Sequence, residues 1–283
     1  LWQWVDLFIF SIKEPIKKLK LRTNYFDLKL LVEKLVFTFF LSTLLFASIS
    51  CHQANEGENN VSIAAAANLQ FVIPELMEAF TKESGIDCTV SISSSGKLTA
   101  QITEGAPFDL FLSADMYYPN YLFQQGFGSK EPEVYAKGIL VLWSMKKMNL
   151  TLEGLADPQI KHIALANPEL APYGISAKEL LIKNGIWEML QGKFVFGESV
   201  SQTNQYIYTG VAEVGFTSKS SVLDQNLKSK GVWIEIPPTE YKEISQGILI
   251  LKNSEHREGA QKFYNFIFSV KGREILKKYG YEV

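Results

Sequence analysis

Two stretches, "KGILVLWS" (residues 137–144) and "QGILILKN" (residues 246–253), are near-twins that lie far apart in the chain. Each opens on a glycine, continues as a short unbroken apolar run and closes on polar residues. That length suits a strand buried on both faces better than a helix. Two accounts of the likeness are open. The stretches are two buried strands that resemble each other by coincidence, or they mark where the chain leaves a first lobe and returns to it. The second account makes a two-lobed molecule with a cleft between the lobes.

Strand and helix patterns alternate on either side of the first twin. "VSIAAA" (61–66) reads as a strand, followed by a helical run over 69–81. Pro74 fits there at the first position of the main helix, after an initial turn. "CTVSIS" (88–93) is a strand and "GKLTAQITE" (96–104) a short helix closed by Gly105. "FDLFLS" (108–113) is a strand, and "NYLFQQ" (120–125) a helix ending near Gly126.

A second set follows the first twin. Strands are read at "HIALAN" (162–167), "KFVF" (193–196), "EVGFTS" (213–218) and "VWIEI" (232–236). Helices are read at "ISAKELLIKN" (175–184), stopped by Gly185, and "VSQTNQYIYT" (200–209), stopped by Gly210. From His256 the tail places Ala260, Phe263, Tyr264, Ile267 and Phe268 on one helical face. Strands alternating with helices predict an α/β fold with mostly parallel sheets.

The first fifty residues are set apart. "LVFTFFLSTLLFASIS" (35–50) carries no charge, follows Lys29 and Lys34, and ends at Cys51. A basic flank, a short apolar run and small residues before a cleavage point describe a secretory signal. The run is short of the roughly 20 residues a spanning helix needs. A cysteine directly after "ASIS" predicts a lipoprotein signal with Cys51 lipidated, although Ser48 sits where such signals usually carry leucine. Residues 1–28, which begin on Leu, read as a misplaced upstream start. Residues 51–60 read as a flexible polar tether. The expected lobes are 61–138 plus 253–283, and 139–252.

Residues 1–50 hold seven Lys/Arg and four Asp/Glu of the chain's 28 and 30, so the remainder carries a net charge of −5. No basic patch suggests nucleic acid. After Cys51 the sole cysteine is Cys88, so no internal disulfide is expected.

"SISSSGKLTA" (91–100) has the look of a phosphate cradle, but a Walker A loop needs glycine where Ser91 stands, and Ser or Thr where Leu98 stands. A serine hydrolase needs a histidine base, and His52, His162 and His256 lie at a tether, a strand start and a helix start. Those histidines show no metal-ligand spacing. Asp109 and Asp115 read as caps of strand ends. A transferase with its active site in the cleft would need titratable groups that the strand-to-helix junctions lack. An effector-sensing domain of a regulator conflicts with the export signal.

The junctions point to binding. In an open α/β sheet, ligands sit beyond the carboxyl ends of strands, at helix N-termini whose N–H groups suit an anion. Four junctions carry small or polar residues: Ala67-Asn68, Ser94-Ser95-Gly96, Pro172-Tyr173-Gly174 and Ser199-Val200. Each alone is an ordinary helix cap; Ser199 and Gln202 even have capping-box spacing. Two in each expected lobe suit a shared small ligand. Lys97 is the sole cation among them and reads as a solvent-facing helix residue.

At these residues the sequence resembles a known family. "AAAANLQFVIPELMEAF", "SSSGKLTAQITEGAPFDLFLSAD", "NPELAPYGISAKELL", "AEVGFTS" and "FYNFIFSVKGREILKKYGY" resemble the periplasmic molybdate-binding proteins, the substrate-binding components of molybdate ABC importers. The resemblance implies a type II periplasmic binding fold, with two α/β lobes closing on a tetrahedral oxyanion, and a transport role without catalysis or cofactor. The ligand implied is molybdate, with tungstate beside it; sulfate or phosphate is the alternative. The partners implied are an ABC permease and its ATPase, and the expected state is an exported monomer anchored at Cys51. The anion is held through its oxygens, with no direct metal ligands. Carried over, the contact residues are Asn68, Ser95, Tyr173 and Val200, with Ser94 and Ser218 less firmly placed. Some members use a tyrosine hydroxyl where Ser218 stands, and Ser218 is too short to reach alike; Tyr173 or Tyr206 are substitutes for that hydroxyl.

Overall fold

The computed structural model describes residues 60–224 and 230–283, which fall within one compact unit spanning 56–283. The expected signal segment, the tether up to residue 59 and Cys51 lie outside the described residues. In chain order the strands are β1 (Asn60–Ala66), β2 (Asp87–Ser93), β3 (Leu110–Leu112), β4 (Glu133–Gly138), β5 (Leu140–Ser144), β6 (Ile163–Ala166), β7 (Phe194–Gly197), β8 (Val214–Ser218), β9 (Val232–Glu235) and β10 (Ile244–Ile250). They form two five-stranded sheets, ordered β2-β1-β3-β10-β4 and β7-β6-β8-β5-β9.

The twin stretches fall in different sheets. β5 opens the second, and β10 pairs with β3 and β4 in the first. β4 of the first sheet ends at Gly138 and β5 of the second begins at Leu140, so the chain passes between the sheets at Ile139. Its return lies before Ile244. The expected boundary at 252/253 is corrected: it put β10 in the second lobe, yet Ile248, Leu249 and Ile250 pair with Leu112, Phe111 and Leu110 of the first. The sheets are also mixed. β1 pairs with β2 and β3 in parallel, and β6 with β7 and β8, but β10 and β5 run antiparallel to both of their neighbours. The strands that cross between lobes are the ones that reverse.

The helices are α1 (Ile73–Ser84), α2 (Ser95–Thr103), α3 (Tyr117–Gln124), α4 (Pro172–Lys183), α5 (Trp187–Leu190), α6 (Val200–Tyr208), α7 (Lys219–Val222), α8 (Arg257–Phe268) and α9 (Val270–Lys278). α1 buries Ile73, Leu76 and Phe80 on one face. It stops at Gly85, whose φ of 71° is the left-handed cap that glycine adopts without a Cβ clash. The single tail helix read from the sequence is two: at Ser269 the backbone turns extended, and its side chain accepts the Gly272 N–H at 3.1 Å to start α9.

Cores lie on both faces of each sheet. One cluster runs through Val61, Ile63, Leu76, Phe80, Phe263 and Ile267 of the first lobe. Another joins Leu140, Leu165, Tyr173, Val200 and Phe216 of the second to Ala66, Ala67 and Ala114 of the first. The alanine run therefore has two duties. Its early residues fill a strand buried on both faces, and its last two meet the opposite lobe, where larger side chains would hold the lobes apart.

Candidate functional site

The parallel strands of each sheet end on the same edge, and the expected contact residues follow those ends. Asn68 follows β1, and Ser94 and Ser95 follow β2. Tyr173 follows β6, Val200 follows β7, and Ser218 closes β8. All are buried, with Asn68 and Ser218 fully so and Ser95 at 1% exposure. The edges face each other. The Ser201 hydroxyl meets the Ala67 carbonyl at 3.4 Å and also bonds Gln70, and Ser220 Oγ donates to the Asn68 carbonyl at 2.7 Å.

Ser95 sits at the first position of α2. Its Oγ accepts the Ala114 N–H at 3.0 Å. A hydroxyl that accepts there still holds its one proton, now oriented away from the Ala114 amide. Ser94, the residue before the helix, makes no side-chain cap, and its buried Oγ has no partner among the protein groups. The N-termini of α2 and α4 thus lack side-chain caps, as Ala171 before α4 has no polar side chain to offer. α6 is capped at one point, where Ser199 Oγ accepts the Gln202 N–H at 3.4 Å. The expected capping box is incomplete: Gln202 Oε1 reaches the Glu198 N–H at 2.7 Å, one residue beyond the reciprocal partner. Ser95, Tyr173 and Val200 all lie in first helical turns, where N–H groups have no acceptor within the helix.

Asn68 is held differently. Its Nδ2 donates to Gln246 Oε1 at 2.9 Å and to the Tyr281 hydroxyl at 3.0 Å. Its carbonyl accepts from Tyr281 at 2.8 Å and from Ser220 at 2.7 Å. The side-chain donor is therefore committed to protein, while the buried Oδ1 has no protein partner. Tyr173 presents its ring to the core, and its hydroxyl accepts Gln246 Nε2 at 3.2 Å. A Cβ on Gly138 would lie 2.1 Å from that hydroxyl, so glycine at the crossing makes room for it.

Proton counting settles the serine cluster after β8. Thr217 donates to Asn204 Oδ1, and Asn204 Nδ2 donates to Ser221 Oγ at 2.9 Å. Ser221 and Ser220 each lie 2.8 Å from Ser218 Oγ. Because the Ser220 proton goes to the Asn68 carbonyl, Ser218 donates to Ser220, and Ser221 donates to Ser218. Every proton in the relay is spent inside the protein, that of Ser218 included. Tyr206 packs on the far side of the second sheet, among Trp233, Met145 and Ile207.

Charge stays at the margin. Lys97, on exposed α2 surface, pairs with Glu198 at 2.5 Å. Asp115 tips β3; burial pushes its carboxyl above the usual range, against hydrogen bonds from the Tyr118 N–H and the Ser113 hydroxyl. Asp109 lies at the other end of β3 and is structural. It accepts from the Ser62 N–H, the Ser254 hydroxyl and the His256 N–H, and also meets the His256 ring. Burial works against its charge, but those bonds together hold its carboxyl below the usual range. Among the described residues no group of His, Cys, Asp and Glu could hold a metal ion.

Sequence reasoning singled out the junction residues but not Tyr281, Gln246 and Ser220, which hydrogen-bond to Asn68. Gln246 had a signal: with the half-buried Ser245 before it, it interrupts an otherwise apolar strand, and it is the fully buried one of the two. Tyr281 had none, since its contact with Asn68 spans 213 residues.

Known proteins share this architecture. The family model described as "Bacterial extracellular solute-binding protein" matches residues 61–282. A molybdate-binding protein of Rhodobacter capsulatus is 36% identical over 223 residues, which cover 78% of this chain and 87% of that protein. A putative ABC transporter substrate-binding lipoprotein of Bacillus subtilis is 29% identical over 84% of this chain and 93% of its own length. The solved structure of the Azotobacter vinelandii periplasmic molybdate-binding protein superposes with a TM-score of 0.75 at 32% identity, covering 79% of this chain and 99% of that one.

Proposed function

The chain belongs to the bacterial extracellular solute-binding proteins, and we propose that it captures molybdate in the interlobe cleft and delivers it to an ABC importer. One observation carries this reading. Three helix N-termini from both lobes meet at a buried place lined by neutral donors, two of those helices have no side-chain cap, and the Ser94 and Ser95 hydroxyl protons are unspent. Helix N-termini carry a partial positive charge and free N–H groups, so they hold an anion without a cationic side chain.

The donors proposed are the Ser95 hydroxyl and N–H, the Ser94 hydroxyl, and the backbone N–H groups of Asn68, Tyr173 and Val200. Ser218 stands outside this set because its proton is spent on Ser220. Tungstate, with the same charge and tetrahedral shape, is proposed as a second ligand. The protein works as a monomer, on this reading, held at the outer face of the membrane through Cys51 and docking on a permease with its ATPase.

A thermal melt with each anion tests the ligand. A ligand that binds the native state alone stabilises it by about 2.7 kcal/mol at a hundredfold excess over Kd. Molybdate and tungstate should each raise the midpoint. A rise with sulfate or phosphate, and none with molybdate, would overturn the assignment.

A further inference from the structure

The glycine of "SSSGK" has a role that anion binding does not use. Gly96 is the second residue of α2, directly after Ser95. Its N–H, one of the donors a helix N-terminus could offer an anion, points instead at protein: it donates to the Leu170 carbonyl at 2.9 Å. Leu170 belongs to the other lobe, in the turn between β6 and α4. A Cβ on Gly96 would stand 3.1 Å from that carbonyl oxygen and 3.2 Å from Leu170 Cα, both backbone atoms. It would also stand 2.8 Å from the Tyr118 hydroxyl, the mobile end of a side chain.

Further contacts between the lobes flank this point. Tyr118 donates to the Glu169 carbonyl at 3.3 Å, and Lys97 pairs with Glu198 at 2.5 Å. None of these groups is a proposed anion donor. We propose that Gly96 and Leu170, flanked by Tyr118–Glu169 and Lys97–Glu198, form a latch between the lobes that sets how long the bound anion stays. The proposal rests on the reading of the cleft as an anion site. It divides the start of α2 between two tasks: the Ser95 N–H faces the ligand, and the Gly96 N–H fastens the opposite lobe. Glycine is needed because backbone meets backbone there. Lys97, paired with Glu198, is the solvent-exposed part of the latch, and its pairing is screened by salt.

The test is titration calorimetry with stopped-flow dissociation on the purified protein. The parent is titrated with molybdate, tungstate, sulfate and phosphate, and the anion it binds best is used for the variants. Gly96→Ala should keep or raise the ligand-free thermal midpoint, since alanine suits a helix better than glycine. It should weaken binding by about tenfold or more, with the change in the off-rate. Gly96→Ala/Tyr118→Phe should stay weak, because the tight approach to the Leu170 backbone, at 3.1 and 3.2 Å, persists. Affinity within about twofold of the parent in Gly96→Ala overturns the latch. So does a ligand-free midpoint that falls along with affinity, which marks Gly96 as structural. Recovery in the double variant places the clash on Tyr118 and overturns the role of Leu170. A parent that prefers sulfate overturns molybdate but not the latch, which the same variants then test with sulfate; a parent that binds none of the four overturns both.

Discussion

Ser95→Ala separates two roles of one hydroxyl. Ser95 Oγ accepts the Ala114 N–H at 3.0 Å, and its own proton is left to donate. The variant therefore does two things. It strips the buried Ala114 N–H of its acceptor, which costs about 1–3 kcal/mol of folding stability with or without ligand. It also removes one charge-assisted hydrogen bond to the anion, and such bonds contribute about 1.5–3 kcal/mol. The second effect appears only in binding, as a Kd raised by roughly ten- to a hundredfold. Urea unfolding of the ligand-free protein measures the first effect, and calorimetric titration with molybdate measures the second. A drop in stability with unchanged Kd would show that Ser95 serves only as an acceptor for the Ala114 N–H in the loop after β3, and would remove it from the site. Unchanged stability with weaker binding would mean that the Ala114 bond contributes nothing.

Two further substitutions probe the frame around the site. Tyr281→Phe deletes a hydroxyl that serves both the Asn68 carbonyl and Asn68 Nδ2, each of which keeps one other partner. Ligand-free stability should fall by about 1–2 kcal/mol in urea, with weaker molybdate binding as the Asn68 backbone loses one restraint; no change in either would detach Tyr281 from the site. Asp109→Asn should cost about 2–3 kcal/mol at pH 7. A carboxyl whose folded pKa is depressed stabilises fully above its unfolded pKa, and loses that contribution as pH falls through the folded value. The gap between parent and variant should therefore close below about pH 4, and parallel stability profiles from pH 7 to pH 3 would refute the assignment.

The parts of the fold legible in the sequence were those with local causes. Pro74 at the start of α1 and Gly85 after its end sit where proline is tolerated and where left-handed glycine is favoured. α4 begins at Pro172, three residues before the apolar pattern suggested, although proline at a first helical position was the available signal. β4 escaped notice because "EVYAKG" is an edge strand with three exposed positions and no steady alternation. Strand direction and the second crossing were illegible for a different reason. Pairing of β10 with β3 and β4 is decided by contacts between residues more than a hundred positions apart, and nothing in "QGILILKN" itself states which sheet it joins. The same holds in the site. Ser95, Tyr173 and Val200 announce themselves as residues between a strand and a helix, whereas Ser220 and Tyr281 matter through partners in the other lobe or at the far end of the chain.

The scarcity of charge at the junctions, where Lys97 is the sole cation and pairs with Glu198, bears on the proposed selectivity. A lysine or arginine would hold any oxyanion, protonated or not, through its charge. The groups at these junctions act instead as oriented donors. The Ala114 N–H occupies an acceptor position on Ser95 Oγ and so aims the Ser95 proton elsewhere, and backbone N–H groups cannot accept at all. An oxyanion that still carried a proton would set its O–H against a donor and lose a bond on both sides. The serine relay behind the site strengthens this wall. By consuming the protons of Ser218, Ser220 and Ser221 on one another and on the Asn68 carbonyl, it leaves Ser94 as the junction hydroxyl without a protein partner. On the proposed reading, a fully ionised tetrahedral dianion pairs with every donor, whereas a hydrogen phosphate has to set its O–H against the Ser94 hydroxyl or Asn68 Oδ1, the buried groups there that can accept it.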